Sequence, residues 1–388
     1  MFFLGWGEMA DFNNSLNNIK DTVISQQNEI NFLKKDLIKK ENYEKLNDII
    51  ISQRNELDEL KKDLAKKDEF LKSLPQLSQT SVGKSIFDGK LVYRNWWSAY
   101  IPEYEGFCEK IWFSRFLMHH FPDADYKINM FSVFGNHFNI NEPMEGKKVF
   151  FSGENLNKRF TFFNENFGPY ALDYVDFAMG YDLVDNEKYL RFPLWIIWNF
   201  LPDVTEEDIE NIINGWNSIN YEKSKDVVVV SSHDLWNTRA LIVDDIKDFV
   251  DITYGGKWRN NSSELWDKFN DNKIEYTKQF KFNVCPENVL DTAYVTEKIF
   301  DAIKCDCIPL YAGGKDYLEP KMLNPNAIIT WDFDKDNSDS VELFKTLMSD
   351  EKSYKEFKDQ DILLDSSVKF VIKKFNKLKK HFENLIYE

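Results

Sequence analysis

FNVCPENVLDTAYVTEKIFDAIKCDCIPLYAGG, Phe282 to Gly314, is the stretch from which the fold class can be read. Its opening belongs to the apolar run FKFNVCPEN, a strand that Pro286 turns into a loop. VTEKIFDAIKCD is a helix, and CIPLYAGG is a second strand running into glycines. Strand, helix and strand in alternation predict a parallel sheet. Upstream, DVVVVSS is an apolar run of the kind buried on both faces of such a sheet, and a helix around ALIVDDIKDFV follows it. Downstream, NAIITWD adds a strand. Nearer the N-terminus the pattern occurs a first time. KLVYRNWW reads as a strand and turn, GFCEKIWFSRFLMHHF as an amphipathic helix, KKVFFSGEN as a buried strand, and YVDFAMGYD and YLRFPLW as short strand-like pieces. The expectation is two α/β halves, over 87–221 and 222–340, followed by C-terminal helices over 341–388.

Residues 1–78 have another texture, rich in Lys, Asp, Glu, Asn and Leu and with no Pro before Pro75. Leu16, Ile19, Val23, Gln26, Ile30, Leu33 and Leu37 advance in alternating steps of three and four, as do Leu46, Ile50, Gln53, Leu57, Leu60, Leu64, Lys67, Leu71 and Leu74. This spacing predicts a heptad coiled coil and a homo-oligomer formed through it, with a helix folded back on the rest of the chain as the alternative. The segment is duplicated: ISQQNEINFLKKDLIKK at 24–40 returns as ISQRNELDELKKDLAKK at 51–67, twelve of seventeen residues identical at an offset of 27. The small polar residues of 79–86 form a linker.

The 388 residues carry 49 Lys and Arg against 65 Asp and Glu, a net charge of −16, so the average field repels a phosphate backbone and nucleic acid is not an expected partner. No apolar stretch approaches the ~20 residues of a membrane span. The start, MFFLGWGEMADF, lacks a basic region, a sustained apolar core and a cleavage site, which predicts a cytoplasmic protein, soluble or peripheral to the membrane. The four cysteines, Cys108, Cys285, Cys305 and Cys307, are too sparse for a disulfide framework and read as reduced thiols.

Two positions suit an anion. Lys298 falls in the first turn of the predicted helix VTEKIFDAIKCD, where free N–H groups gather. A lysine without a partner is disfavoured there by the helix dipole, and a bound phosphate would explain its presence; a solvated surface lysine is the plain alternative. Arg239 follows VVVVSS and the loop HDLWNT, at the carboxyl end of a parallel strand where ligand crevices form. Its alternative is a surface pair with an acid such as Asp244. In the first half, Glu154 follows the strand KKVFFSG and has the chemistry of a general base, as have Asp173, Asp176 and Asp182 on composition alone.

The segments F-N-x-C-x-E-N, Y-V-T-E-K-I-x-D-A and I-P-x-Y-x-G within 282–314 resemble the donor-site signature of the family 10 α-1,3/4-fucosyltransferases of bacterial type. Asn95-Trp96-Trp97 and Ser152-Gly153-Glu154-Asn155 resemble two further segments of that family, so the likeness runs from about Leu91 to Asp332. It implies a GT-B-like α/β fold, two Rossmann-like domains facing a cleft, preceded here by the helical coiled coil. It further implies GDP-β-L-fucose as donor, bound by Arg239, Asn288, Tyr294, Glu297 and Lys298. Glu154 would then be the general base, while Arg239 and Lys298 stabilise the leaving diphosphate in a single inverting displacement. The implied acceptor is a GlcNAc-containing glycan, with α-1,3 linkage and a lipid-linked form among the options, and no cofactor or metal is required. Another GDP-sugar, or a non-catalytic scaffold with a degenerate transferase domain, are the competing readings.

Trp96 and Trp97 could stack against acceptor sugar rings or pack in the core. Asp123-Ala124-Asp125 and Asp332-Phe333-Asp334 have the form of a divalent-ion pair but lie far in sequence from Lys298. Cys305-x-Cys307 lacks a second ligand pair for zinc, and His119-His120 sits in an aromatic helix, so packing is expected for both. In the C-terminal helix Val368, Val371, Ile372, Phe375, Leu378, Phe382 and Leu385 share helical spacing, with Lys369, Lys373, Lys374, Lys377, Lys379 and Lys380 on the other faces. This predicts either peripheral contact of 368–388 with an anionic membrane or a docked helix with a solvated basic face.

Overall fold

The structure, a computed structural model, describes residues 91–94, 111–133 and 138–388, all within one compact unit, Gly83–Glu388. The heptad segment 1–78, the linker 79–86, Trp96, Trp97 and Cys108 lie outside the described residues. The first half holds β1 (Leu91–Tyr93), α1 (Trp112–His120), β2 (Ile128–Phe131), β3 (Lys147–Phe151), α2 (Thr161–Phe167), β4 (Phe177–Gly180), β5 (Tyr189–Arg191), α3 (Leu194–Asn199) and α4 (Glu206–Asn217). The second holds β6 (Lys225–Val229), α5 (Thr238–Ile246), β7 (Ile252–Tyr254), α6 (Glu264–Asp267), α7 (Lys273–Thr277), β8 (Phe280–Val284), α8 (Glu297–Lys304), β9 (Ile308–Tyr311) and β10 (Ile329–Thr330). The helices α9 (Ser338–Ser349), α10 (Glu351–Lys358) and α11 (Ser367–Tyr387) end the chain.

Each half is built on a five-stranded sheet, in the order β1-β2-β3-β4-β5 and β10-β9-β8-β6-β7. Every pairing is parallel, with Val149 opposite Phe177 in one sheet and Phe282 opposite both Val227 and Ile308 in the other. Parallel strands are covered on both faces, and alternate side chains supply two apolar layers. Ile128, Met130, Val149, Phe151, Phe177 and Met179 pack with α1 on one face of the first sheet, and Phe131, Phe150 and Ala178 pack with Phe163 of α2 on the other. In the second sheet Val227, Val229, Phe282, Ile308 and Leu310 pack against Ile242 of α5 and Phe344 of α9.

The C-terminal helix returns to the first half. Val371, Phe375, Leu378 and Phe382 are buried in the layer that holds Phe113 and Phe116 of α1, so the apolar face of α11 is used within the protein. His120 packs on Phe116 at 4.4 Å, and burial, followed by the charge of His119, pushes its imidazole down to about 4. Cys285, Cys305 and Cys307 are free and buried. Among the described residues no helix is long and apolar enough to cross a membrane.

Candidate active site

In both halves the polar residues of interest leave the carboxyl ends of parallel strands, where side chains are free of the ladder. Glu154 follows β3, Tyr181 follows β4, Arg239 lies beyond β6, and Glu287 and Asn288 follow β8.

Beyond β8 the hub is Glu287, whose carboxylate is fully buried. It accepts from the Thr296 backbone N–H and hydroxyl, each at 2.7 Å, from the Tyr311 hydroxyl at 2.9 Å and from Lys298 Nζ at 3.2 Å. A Cβ at Gly313 would approach Glu287 Cγ to 2.6 Å, so glycine is what lets β9 end against this carboxylate. Lys298 also reaches the Thr296 hydroxyl at 2.9 Å and Glu297 at 3.4 Å. Burial alone would lower its pKa, but Glu287 and Glu297 outweigh that and hold the ammonium above the ordinary lysine range. The expectation of an unpaired lysine at this helix start is therefore corrected: Lys298 is neither unpaired nor a solvated surface residue, and the helix dipole is offset by two carboxylates. Glu297 is held below its ordinary value; burial opposes this and the charge of Lys298 prevails.

Arg239 is buried in the first turn of α5. One arm of its guanidinium donates to Asn288 Oδ1 at 2.9 Å and the other faces Asp234 at 3.5 Å. Asp234 also caps the helix, accepting from the N–H groups of Arg239 and Ala240. Asp244 instead pairs with Lys247 and Arg259, so the surface-pair alternative for Arg239 does not hold. Tyr294 is buried with its ring edge-on to Tyr181 at 4.8 Å, and burial, followed by the charge of Glu154, raises its hydroxyl well above the ordinary range. A carboxylate from the first half is thus felt by a residue of the second.

Glu154 sits in a tight turn in which its N–H donates to Ser152 Oγ at 3.1 Å, and its carboxylate meets Arg159 Nη1 at 2.6 Å. The same loop is stitched to the second half. Asp291 Oδ2 accepts from Asn155 at 2.9 Å, Asn157 at 3.0 Å and Tyr181 at 3.2 Å, and Lys158 donates to the Leu290 carbonyl. Behind this clasp, Arg191 at the end of β5 forms a buried fork with Glu319 at 2.5 and 3.1 Å and donates to the Ala293 carbonyl at 3.1 Å. Ala293 has φ 58, a left-handed conformation that costs an alanine about 1 kcal/mol and that this contact helps to hold. Trp195 donates to Glu319 at 2.8 Å and stacks on Phe300 of α8.

The structure thus joins Arg239 to Asn288, Lys298 to Glu297, and Tyr294 to the first half. Glu287, Arg159 and Asp291 are additions. Glu287 lies inside the quoted motif as an acid at the end of an apolar strand, which is a readable signal; Arg159 and Asp291 lie in loops with no periodicity. The carboxylates of Asp332-Phe333-Asp334 are already engaged. Asp332 accepts from the Asp334 N–H at 3.0 Å and pairs with Lys335, while Asp334 pairs with Lys315. Among the described residues no group of three or more His, Cys, Asp or Glu is arranged to hold a metal ion.

Comparison with known proteins adds the following. A family model described as glycosyltransferase family 10 (fucosyltransferase) C-term matches residues 220–367, and one described as the alpha-(1,3)-fucosyltransferase FucT N-terminal domain matches 92–198. An alpha-(1,3)-fucosyltransferase FucT of Helicobacter pylori is 25% identical over 299 residues, which cover 68% of this chain and 58% of that relative. The match therefore spans little more than half the length of this curated relative. A crystal structure of an alpha1,3-fucosyltransferase with GDP-fucose is 22% identical with a TM-score of 0.50, covering 79% of this chain and 94% of that one. A further crystal structure of an alpha1,3-fucosyltransferase has a TM-score of 0.53 at the same identity, with 79% and 93% covered. At this identity the likeness establishes the fold, a GT-B-type pair of α/β domains.

Proposed function

Because the chain belongs to glycosyltransferase family 10, we propose that it transfers L-fucose from GDP-β-L-fucose to a hydroxyl of a GlcNAc-containing glycan, in α-1,3 linkage. The observation that carries this reading is the seam itself: Arg239 bonds Asn288 and Lys298 stands at the start of α8 on one side, and on the other Glu154 stands on a loop bonded to Asp291. In the proposed step the acceptor O–H gives its proton to Glu154 and its oxygen bonds to the anomeric carbon. The bond from that carbon to the β-phosphate oxygen breaks with its electron pair, and GDP leaves. Arg239 and Lys298 stabilise the charge that grows on the diphosphate. Glu297 takes the ribose hydroxyls, and Asn288 and Tyr294 line the nucleotide pocket.

Trp96 and Trp97 are proposed to touch the acceptor, residues 1–78 to assemble the oligomer, and no divalent ion to be needed. The enzyme is proposed to work in the cytoplasm at the inner face of the membrane, on an acceptor that includes lipid-linked glycans. Any membrane contact of α11 would be made by its lysines, Lys369, Lys373, Lys377 and Lys380, which line an outward groove, because the apolar face is buried. The test is GDP release from GDP-fucose with N-acetyllactosamine, run with and without EDTA and with GDP-mannose as a second donor. Acceptor-dependent release from GDP-fucose alone, unchanged by EDTA, supports the proposal. Release from GDP-mannose alone overturns the donor assignment, and absence of GDP binding in calorimetry overturns the reading as a whole.

A further inference from the structure

Arg159 belongs to no motif, yet its guanidinium holds the carboxylate proposed as the general base, at 2.6 Å. A carboxylate oxygen that already accepts from a guanidinium at this distance is not open to an incoming hydroxyl. Arg159 also has a second place to go. The residues before it in the chain, Asn155, Asn157 and Lys158, are bonded to Asp291 and Leu290 of the donor half, so Arg159 is carried at the seam. Its charge reaches the donor side: burial, then Arg239, then Arg159 push the His233 imidazole down, with Lys298 adding to them. Three cations from two halves thus act on one loop beyond β6. The Arg159 side chain is 33% exposed and that of Glu154 is 15% exposed, so the pair is partly open to solvent, with the guanidinium 5.3 Å from the Phe160 ring.

We infer that Arg159 is a third ligand of the donor diphosphate, and that in taking up this role it leaves Glu154 and frees the general base. The inference rests on the donor reading proposed above. It makes donor binding the event that arms Glu154: without the donor the carboxylate stays paired, and with it the carboxylate can accept the acceptor proton while three cations face the departing GDP. The carboxylate and the diphosphate then compete for one guanidinium, and competition of this kind is reciprocal.

Calorimetric titration of the full chain with GDP tests this without an acceptor. Arg159→Ala is expected to weaken GDP binding about tenfold, the usual effect of losing a hydrogen bond to a charged group. Glu154→Gln is expected to tighten it about two- to fivefold, since a partly exposed pair no longer has to be broken. The double variant should bind as Arg159→Ala does, because the tightening needs the guanidinium. Three results overturn the inference alone: wild-type binding that Arg159→Ala leaves unchanged, no tightening in Glu154→Gln, or a tightening that persists in the double variant, which would mean the carboxylate merely repels the diphosphate. A wild-type protein that takes up no GDP overturns the donor reading, and this inference with it. The Glu154→Gln arm retains Arg159, so the outcome does not hang on how the alanine variant folds.

Discussion

The two sheets are assembled from the same parallel unit and differ in the order in which strands are added. In the first, spatial order follows the chain, β1-β2-β3-β4-β5; in the second, β6 lies between β7 and β8, so the chain turns back past its own starting strand. Such a reversal leaves a crevice at the carboxyl ends of the strands on either side of it. Arg239, beyond β6, and Asn288, beyond β8, meet at 2.9 Å across that reversal. The first sheet has no reversal among its described strands, and what its carboxyl ends supply is a carboxylate, Glu154, and the groups that dock on the other half, Tyr181 and Arg191. The difference teaches a division of labour: the reversed sheet carries the arginine proposed to hold the diphosphate, and the sequential one carries the carboxylate proposed as the base.

The sharpest way to break that division is Glu154→Gln, which should lower turnover by about 10²- to 10⁴-fold, the usual worth of a general base, without weakening GDP binding. Turnover within a few-fold of wild type would move the base elsewhere. Next in size is the joint between the halves. Glu319→Ala leaves Arg191 buried without its carboxylate and should cost about 3–5 kcal/mol in urea unfolding. A loss below about 1 kcal/mol would show that this buried pair is not what holds the halves together. Arg239→Ala tests the reversed sheet and should weaken GDP binding at least about tenfold, with turnover at saturating donor changing less than in Glu154→Gln.

The smallest effect concerns pH. Burial, and then Asp291, raise Asp182 from its ordinary 3.8 to about 6, so the folded protein holds this proton more tightly than the unfolded chain. Stability linked to this group is then present below pH ~4 and lost as pH rises through about 6. Asp182→Asn should be more stable than wild type above pH ~6, by about 1–2 kcal/mol after allowance for its partial exposure, and equal to it below pH ~4. A gain that is the same at both ends of this range would show that Asp182 does not titrate in that window.

The βαβ unit of 280–311 is legible because its strands are mostly apolar and its helix is bracketed by loops; β3 and β6 are legible because each ends in an apolar run. INMF and ITY, which form β2 and β7, are too short and too mixed to carry such a signal. Of the candidate site, Lys298, Glu297 and Asn288 stand in one local stretch, the one that carries the family resemblance. What no local pattern contains is the choice of distant partners: Asn155 with Asp291, Arg191 with Glu319, and α11 with α1. Glu287 shows the middle case, an acid whose position is readable and whose role is set by Thr296, Tyr311 and Lys298 converging on it. Lys298 is paired because one compensating carboxylate, Glu287, comes from the preceding strand end and a second, Glu297, from the helix start.

The segment VLDTA, from Val289 to Ala293, has a use that its contacts alone do not announce. It is anchored at one end by Asn288 and at the other by Tyr294, and in between Asp291 grips the loop that carries Glu154. It therefore works as a ruler. Its length sets how far the loop of Glu154 stands from the Arg239–Asn288 pair, and inserting or deleting a single residue there would change that span without altering either sheet.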